Sequence, residues 1–161
     1  MEKAFSKRGR KVNSMKVIEE FIINLKKNLN NYLIACKHTT TKVYYKSEMF
    51  ACSTKDLPSI VFAVKSTGEI MNHCKNYSMI LCPKFVIYTE CNMRPTLGLE
   101  VANIIVAFLM LNYSLKYFSI DDSQVEDETS DARMVTLVDS TLGIRIDGAD
   151  YINCRGGKNG S

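Results

Sequence analysis

From Met15 onward, apolar residues return at helical spacing. Ile18, Phe21, Ile22, Leu25 and Leu29 stand at i, i+3, i+4, i+7 and i+11, with Glu19, Glu20, Lys26 and Lys27 opposite, the signature of an amphipathic helix. Ser14 is placed to cap it, and Asn28, Asn30 and Asn31 supply a stop. Beyond the asparagines the pattern shortens to runs rich in β-branched and aromatic residues. "YLIAC", "TKVYY", "SIVFAV", "YSMILC" and "KFVIYTE" each predict a strand. "SEMFACSTKDL" reads as a short helix or a loop, ended by Pro58. "KSTGE" is expected to turn through Gly68, and Pro83 to separate two strands at a tight connection or an edge.

A second helical stripe runs from Leu97 to about Lys116. Val101, Ile104, Ile105, Phe108, Leu111 and Leu115 share one face, Leu109 and Met110 broaden it, and Pro95 precedes the first turn. An acidic loop is expected at 121–131, where "DDSQVEDETSD" puts six carboxylates in eleven residues. "RMVTLV" and "TLGIRID" then alternate like strands, and "CRGGKNGS" reads as a Gly-rich end. The sum predicts an α+β fold, an antiparallel β-sheet with helices on one face and an amphipathic helix at the N-terminus. The 161 residues suit one domain at 15–152, between a basic disordered tail at 1–14 and a flexible tail at 153–161.

Composition is that of an ordinary globular chain, 46% hydrophobic and 24% charged. The longest apolar block, Val101 to Leu111, is eleven residues against the roughly 20 of a spanning helix, so a buried helix and no membrane partner are expected. "MEKAFSKRGRKVNSMK" has no apolar run behind its charges, which argues against a secretory leader and for an intracellular protein, nuclear or cytoplasmic. The six cysteines, Cys36, Cys52, Cys74, Cys82, Cys91 and Cys154, are then expected to be reduced. None forms a C-x-x-C pair and only His38 and His73 supply imidazoles, so no metal site is expected. "KSTGE" and "RGGKNG" lack the order of a phosphate-binding loop, and the acidic stretch lacks the spacing of an EF-hand. No catalytic constellation or cofactor site emerges, and the expectation is a non-enzyme.

Charge adds a direction. Met1 to Ile120 holds 17 basic and 8 acidic residues, a net of +9, while Asp121 to Ser161 holds 4 and 9, a net of −5. The densest basic run is Lys7, Arg8, Arg10 and Lys11. A basic front with an acidic back suits a protein that meets nucleic acid, and equally a solvated tail with an acidic loop.

The order of strand, Lys-bearing turn, strand, polar link and long helix across Ser78 to Asn112 resembles one repeat of the TATA-box-binding protein family. "MILCPKFVIYTE" is similar to its paired strands, and "LGLEVANIIVAFLMLNY" to the helix on the back of its sheet. "NNYLIA" resembles its Asn-led first strand, "KDLPSIVFAV" the strand after its short helix, "LKYFSI" the turn after its long helix, and "VTLVDSTLGIRIDG" the opening of a second repeat. The resemblance implies a sheet whose free face grips a DNA minor groove and wedges side chains between base steps. Leu57 and Cys82 stand where the family has phenylalanines. Asn31 keeps the strand-leading Asn, its counterpart in the second repeat being Thr136. Most of that second repeat has no counterpart in the chain.

Two functions are therefore expected. The first is a transcription-related factor that binds double-stranded DNA through Asn31, Leu57, Lys65, Cys82 and Lys84, with Lys7, Arg8, Arg10 and Lys11 adding non-specific affinity. The second is a protein-interaction module that takes a transcription protein, or a second copy, on the same apolar face or on the N-terminal amphipathic helix.

Overall fold

In the computed structural model, which describes residues 2–46, 58–73, 76–90, 92–125, 133–147 and 150–152, two helices lie on one face of a mixed, mostly antiparallel sheet. The chain order is α1 (Glu2–Ala35), β1 (Lys42–Tyr45), β2 (Ser59–His73), β3 (Asn76–Glu90), α2 (Leu97–Asn112), β4 (Ser114–Val125), β5 (Arg133–Asp147) and β6 (Asp150–Ile152). The strands lie in the order β1-β2-β3-β5-β4, with short β6 paired to β5. The α+β class and the one-sided helices are as expected from the sequence. The single parallel pair, β1 with β2, requires a crossover connection, made by the chain between Lys46 and Pro58. Residues 47–57, and with them Leu57 and the expected short helix or loop, lie outside the described residues.

The strands are longer than their sequence fragments. β2 does not turn at "KSTGE" but runs on to His73, with a register shift between Ser66 and Ile70. Ser66 faces Leu81 and Ile70 faces Met79, so β2 advances four residues where β3 advances two. A bulge absorbs the excess, and Gly68 lies inside it. Nor does Pro83 divide two strands. β3 passes through it in the middle of the sheet, and the β3–β5 register is the same on either side, Leu81 facing Leu142 and Lys84 facing Asp139. The missing proline N–H leaves a gap in the ladder. The Pro83 carbonyl accepts a hydrogen bond from the buried Ser140 hydroxyl at 2.7 Å. "RMVTLV" and "TLGIRID" are likewise one strand, and the expected acidic loop is strand as far as Val125.

Helix α1 begins at Glu2, not at a Ser14 cap, so the backbone of 2–14 is helical where a disordered tail was expected. It also runs through "YLIA", expected as a strand. Val17, Phe21, Leu25, Leu29 and Leu33 are all buried, at most 2% exposed, and this stripe continues straight past the asparagines. Asn31 faces solvent and stops nothing. A spacing of four residues turns the stripe by about 40° per step, so successive parts of α1 can meet different elements, and it touches β6, α2 and β1. The helix closes in a Schellman motif. Lys37 adopts the left-handed conformation at φ 70°, and the His38 N–H donates to Leu33 O and the Lys37 N–H to Ile34 O at 2.8 and 2.9 Å.

Helix α2 buries Leu97, Val101, Ala102, Ile105, Phe108 and Leu109, so most of the apolar block is core, whereas Met110 and Leu111, expected on the buried face, are exposed. It stops at Asn112, earlier than Lys116. The Asn112 side-chain amide donates to Phe108 O at 2.9 Å, Tyr113 is extended, and Leu115 and Lys116 belong to β4. Phe21 meets Tyr113 at 5.2 Å and Tyr32 meets Phe108 at 5.5 Å between ring centroids. Below them lie Phe62, Phe85, Ile87, Val138 and Leu142 on the helix side of the sheet. At its other end α2 rests almost directly on β5. A Cβ at Gly98 would overlap the Thr136 hydroxyl, which itself donates to Asp122 Oδ1 at 2.9 Å.

Two stability measurements follow from this packing. Phe108→Ala empties a site 1% exposed and is expected to cost about 3–5 kcal/mol in urea melts. Gly98→Ala should gain about 1 kcal/mol in helix propensity yet destabilise overall, because overpacking against Thr136 costs about 1–3 kcal/mol. A Gly98→Ala protein more stable than the parent would refute the close contact.

Candidate interaction site

The sheet face away from the helices carries three of the residues that sequence reasoning favoured. Lys65 stands opposite Cys82 and Ala63 opposite Lys84, so Lys65, Cys82 and Lys84 are brought together. Val86 and Leu137 face each other beside them, each half-buried, and Ile80 is half-buried on the same face. The Cys82 thiol lies 3.8 Å from the Thr141 hydroxyl. Asn31 is elsewhere, on the solvent side of α1, and the strand it was expected to lead is helix. The side chains of Lys7, Arg8, Arg10 and Lys11 lie outside the described residues, as does Leu57. The turn expected before Lys84 is uninterrupted strand. Two features that supported the resemblance to the TATA-binding repeat, the Asn-led strand and the Lys-bearing turn, are therefore absent at those positions.

The charge of this face is nearly balanced. Among the described side chains, Lys42, Lys65, Lys84 and Lys116 stand against Glu90, Asp121 and Asp139, Lys84 directly opposite Asp139. A phosphate backbone gains affinity from an excess of cations, and here the excess is one.

A more distinctive surface lies at the sheet's edge. Among the described residues β1 pairs only with β2, which places it at the edge of the sheet. Over it leans α1. Between them runs a groove of about 620 Å³, lined by Ile22, Ile23, Lys26, Lys27 and Asn30 from the helix and by all four residues of β1. Its apolar wall is Ile22, Ile23, Val43 and Tyr45. Ile23 is 64% exposed, a large apolar side chain left in water. Among the described residues of the lining, the charges are Lys26, Lys27 and Lys42, all positive. Sequence reasoning passed over this site because Ile23 lies off the buried stripe and Lys26 and Lys27 read as the solvated side of an amphipathic helix. The signal present was two neighbouring isoleucines, one more than the stripe requires.

Among the described residues no group of His, Cys, Asp and Glu is arranged to hold a metal ion, and no helix is long and apolar enough to cross a membrane. No protein-family model matches the chain, and no curated protein matches it in sequence.

Proposed function

We propose that this chain is a protein-interaction module that takes an acidic, extended segment of a partner protein into the groove between α1 and β1, adding it as a strand beyond β1. The observation that carries this reading is the union, in one concavity, of the edge strand β1, the exposed side chain of Ile23 and the lysines Lys27 and Lys42, with no carboxylate among the described lining residues. Each part supplies a different component of recognition. The β1 backbone fixes direction and register, since strand addition is built on main-chain hydrogen bonds. Four residues of β1 give about 13 Å of pairing, too short to hold a peptide alone. Ile22, Ile23 and Tyr45 add apolar contact to alternate side chains, and Lys27 and Lys42 select carboxylates and speed encounter. The same lysines repel a basic strand, which protects an edge that would otherwise recruit any chain.

DNA binding through the open sheet face is the competing reading, and its near-neutral charge gives that reading little support. A single titration separates the two. A short labelled peptide alternating aspartate and valine is expected to bind the full chain, and to weaken as salt rises. The double variant Lys27→Glu, Lys42→Glu should abolish binding, and an N-methylated copy of the peptide should lose it as well. Val86→Glu, on the open face, should leave it unchanged. Equal binding of a lysine–valine peptide would overturn the proposal. So would binding of an AT-rich duplex that Lys84→Ala weakens while the acidic peptide is ignored.

A further inference from the structure

The sheet ends at β1 on one side and at β4 on the other. β4 is the longer of the two, twelve residues against the roughly 5–6 of an ordinary strand, and among the described residues it pairs only with β5. Its register with β5 shifts twice, between Leu115 and Tyr117 and between Asp121 and Gln124. Each shift marks a bulge, where a strand bends and twists away from further pairing. Between the bulges runs a regular stretch, Tyr117 to Asp121, which faces Thr141 to Leu137 without interruption.

The side chains of this stretch alternate between the two faces of the sheet. Phe118 and Ile120 face Ser140 and Val138, on the helix side. Ile120 packs on the core, whereas the Phe118 ring is 40% exposed. Tyr117 and Asp121 face Thr141 and Leu137, on the open side, and Tyr117 is 58% exposed. Lys116, within the first bulge, joins them on the open side. Its side chain lies over Gly143, with Cε 3.0 Å from where a Cβ there would stand. Charge is therefore polarised along the stretch, a cation at its start and a carboxylate at its end.

We propose that β4 pairs antiparallel with β4 of a second copy of this chain, about a two-fold axis through Ser119, to form a homodimer. A two-fold interface must be self-complementary, and the bulges set the register, since Ser119 is the midpoint of the regular stretch between them. About that axis Phe118 stands opposite Ile120 of the second copy, an aromatic and β-branched pair that covers the exposed ring. Tyr117 stands opposite Asp121 of the second copy, with Lys116 beside it, so each cation meets a carboxylate. Parallel pairing in register would instead set lysine against lysine and aspartate against aspartate, which is unfavourable. The two copies then share one continuous sheet with β1 at each outer end. This interface is independent of the α1–β1 groove and stands or falls without it.

The test is sedimentation equilibrium of the full chain over a range of concentrations, under reducing conditions, where a reversible dimer is expected. Phe118→Asp, at an exposed position, should sediment as a monomer while keeping the melting temperature of the dilute, monomeric parent. Lys116→Glu and Asp121→Lys should each be monomeric alone, because like charges then face each other. Mixed, they should form a heterodimer, since every pair is again opposite in sign. Ser119→Cys, on the axis, should link two chains by a disulfide on mild oxidation, beyond any the parent forms. Directly opposite Cα atoms lie about 4.5–5.5 Å apart, within disulfide range. Tyr117→Cys should not, because its two copies lie about 14 Å apart along the strands. A parent that stays monomeric at every concentration would overturn the proposal. So would a Phe118→Asp dimer as tight as the parent's, a mixture no more dimeric than its components, or a Tyr117→Cys bridge as efficient as that of Ser119→Cys.

Discussion

The fold hangs on the aromatic junction between its two helices. α1 and α2 touch along little of their length, and what joins them is a few rings, Phe21 and Tyr32 from one, Phe108 and Tyr113 from the other. Tilted and edge-on contacts of this kind add to area burial and fix the angle between elements. The angle has consequences at both ends of α1. It lays the helix over β1 while keeping Ile23 and Lys27 away from the sheet, and so opens the groove. At the other end of α1 the Schellman turn and the start of α2 border one open concavity.

The helices and the class of fold were legible because both rest on local periodicity. The stripe of α1 and the apolar block of α2 could be read from spacing alone. What was misread had a non-local cause. Asn28, Asn30 and Asn31 are poor helix residues in isolation, yet Leu29 and Leu33 are fully buried, and that burial carries the helix to Ala35. Pro83 looks like a break, yet β3 keeps its register with β5 across it, and its carbonyl accepts a hydrogen bond from Ser140, 57 residues away. Gly68 looks like a turn but sits within a bulge, a feature that exists only relative to the partner strand. Each error came from weighing a residue by its own preference where a distant neighbour decided.

The sites follow the same division. Lys65, Cys82 and Lys84 could be gathered on one face because strand alternation is a local rule. The groove could not be foreseen, since it requires knowing that residues of α1 and β1, some 20 apart in sequence, lean together at an edge. The assignment of Asn31 to a DNA-facing strand failed for the reason already given, that the helix continues through it.

Charge then separates the surfaces. The chain carries a net charge of +4, but the surplus is not spread evenly over what is described. On the open sheet face lysines and carboxylates nearly cancel. Among the described residues that line the groove, the charges are Lys26, Lys27 and Lys42, the last of them shared with the open face. A surplus confined to concavities is focused by the low-dielectric walls around it and attracts anions there more strongly than the same charges on a flat face. The groove follows the edge strand β1 along all four of its residues, a geometry suited to an extended chain with carboxylates at intervals.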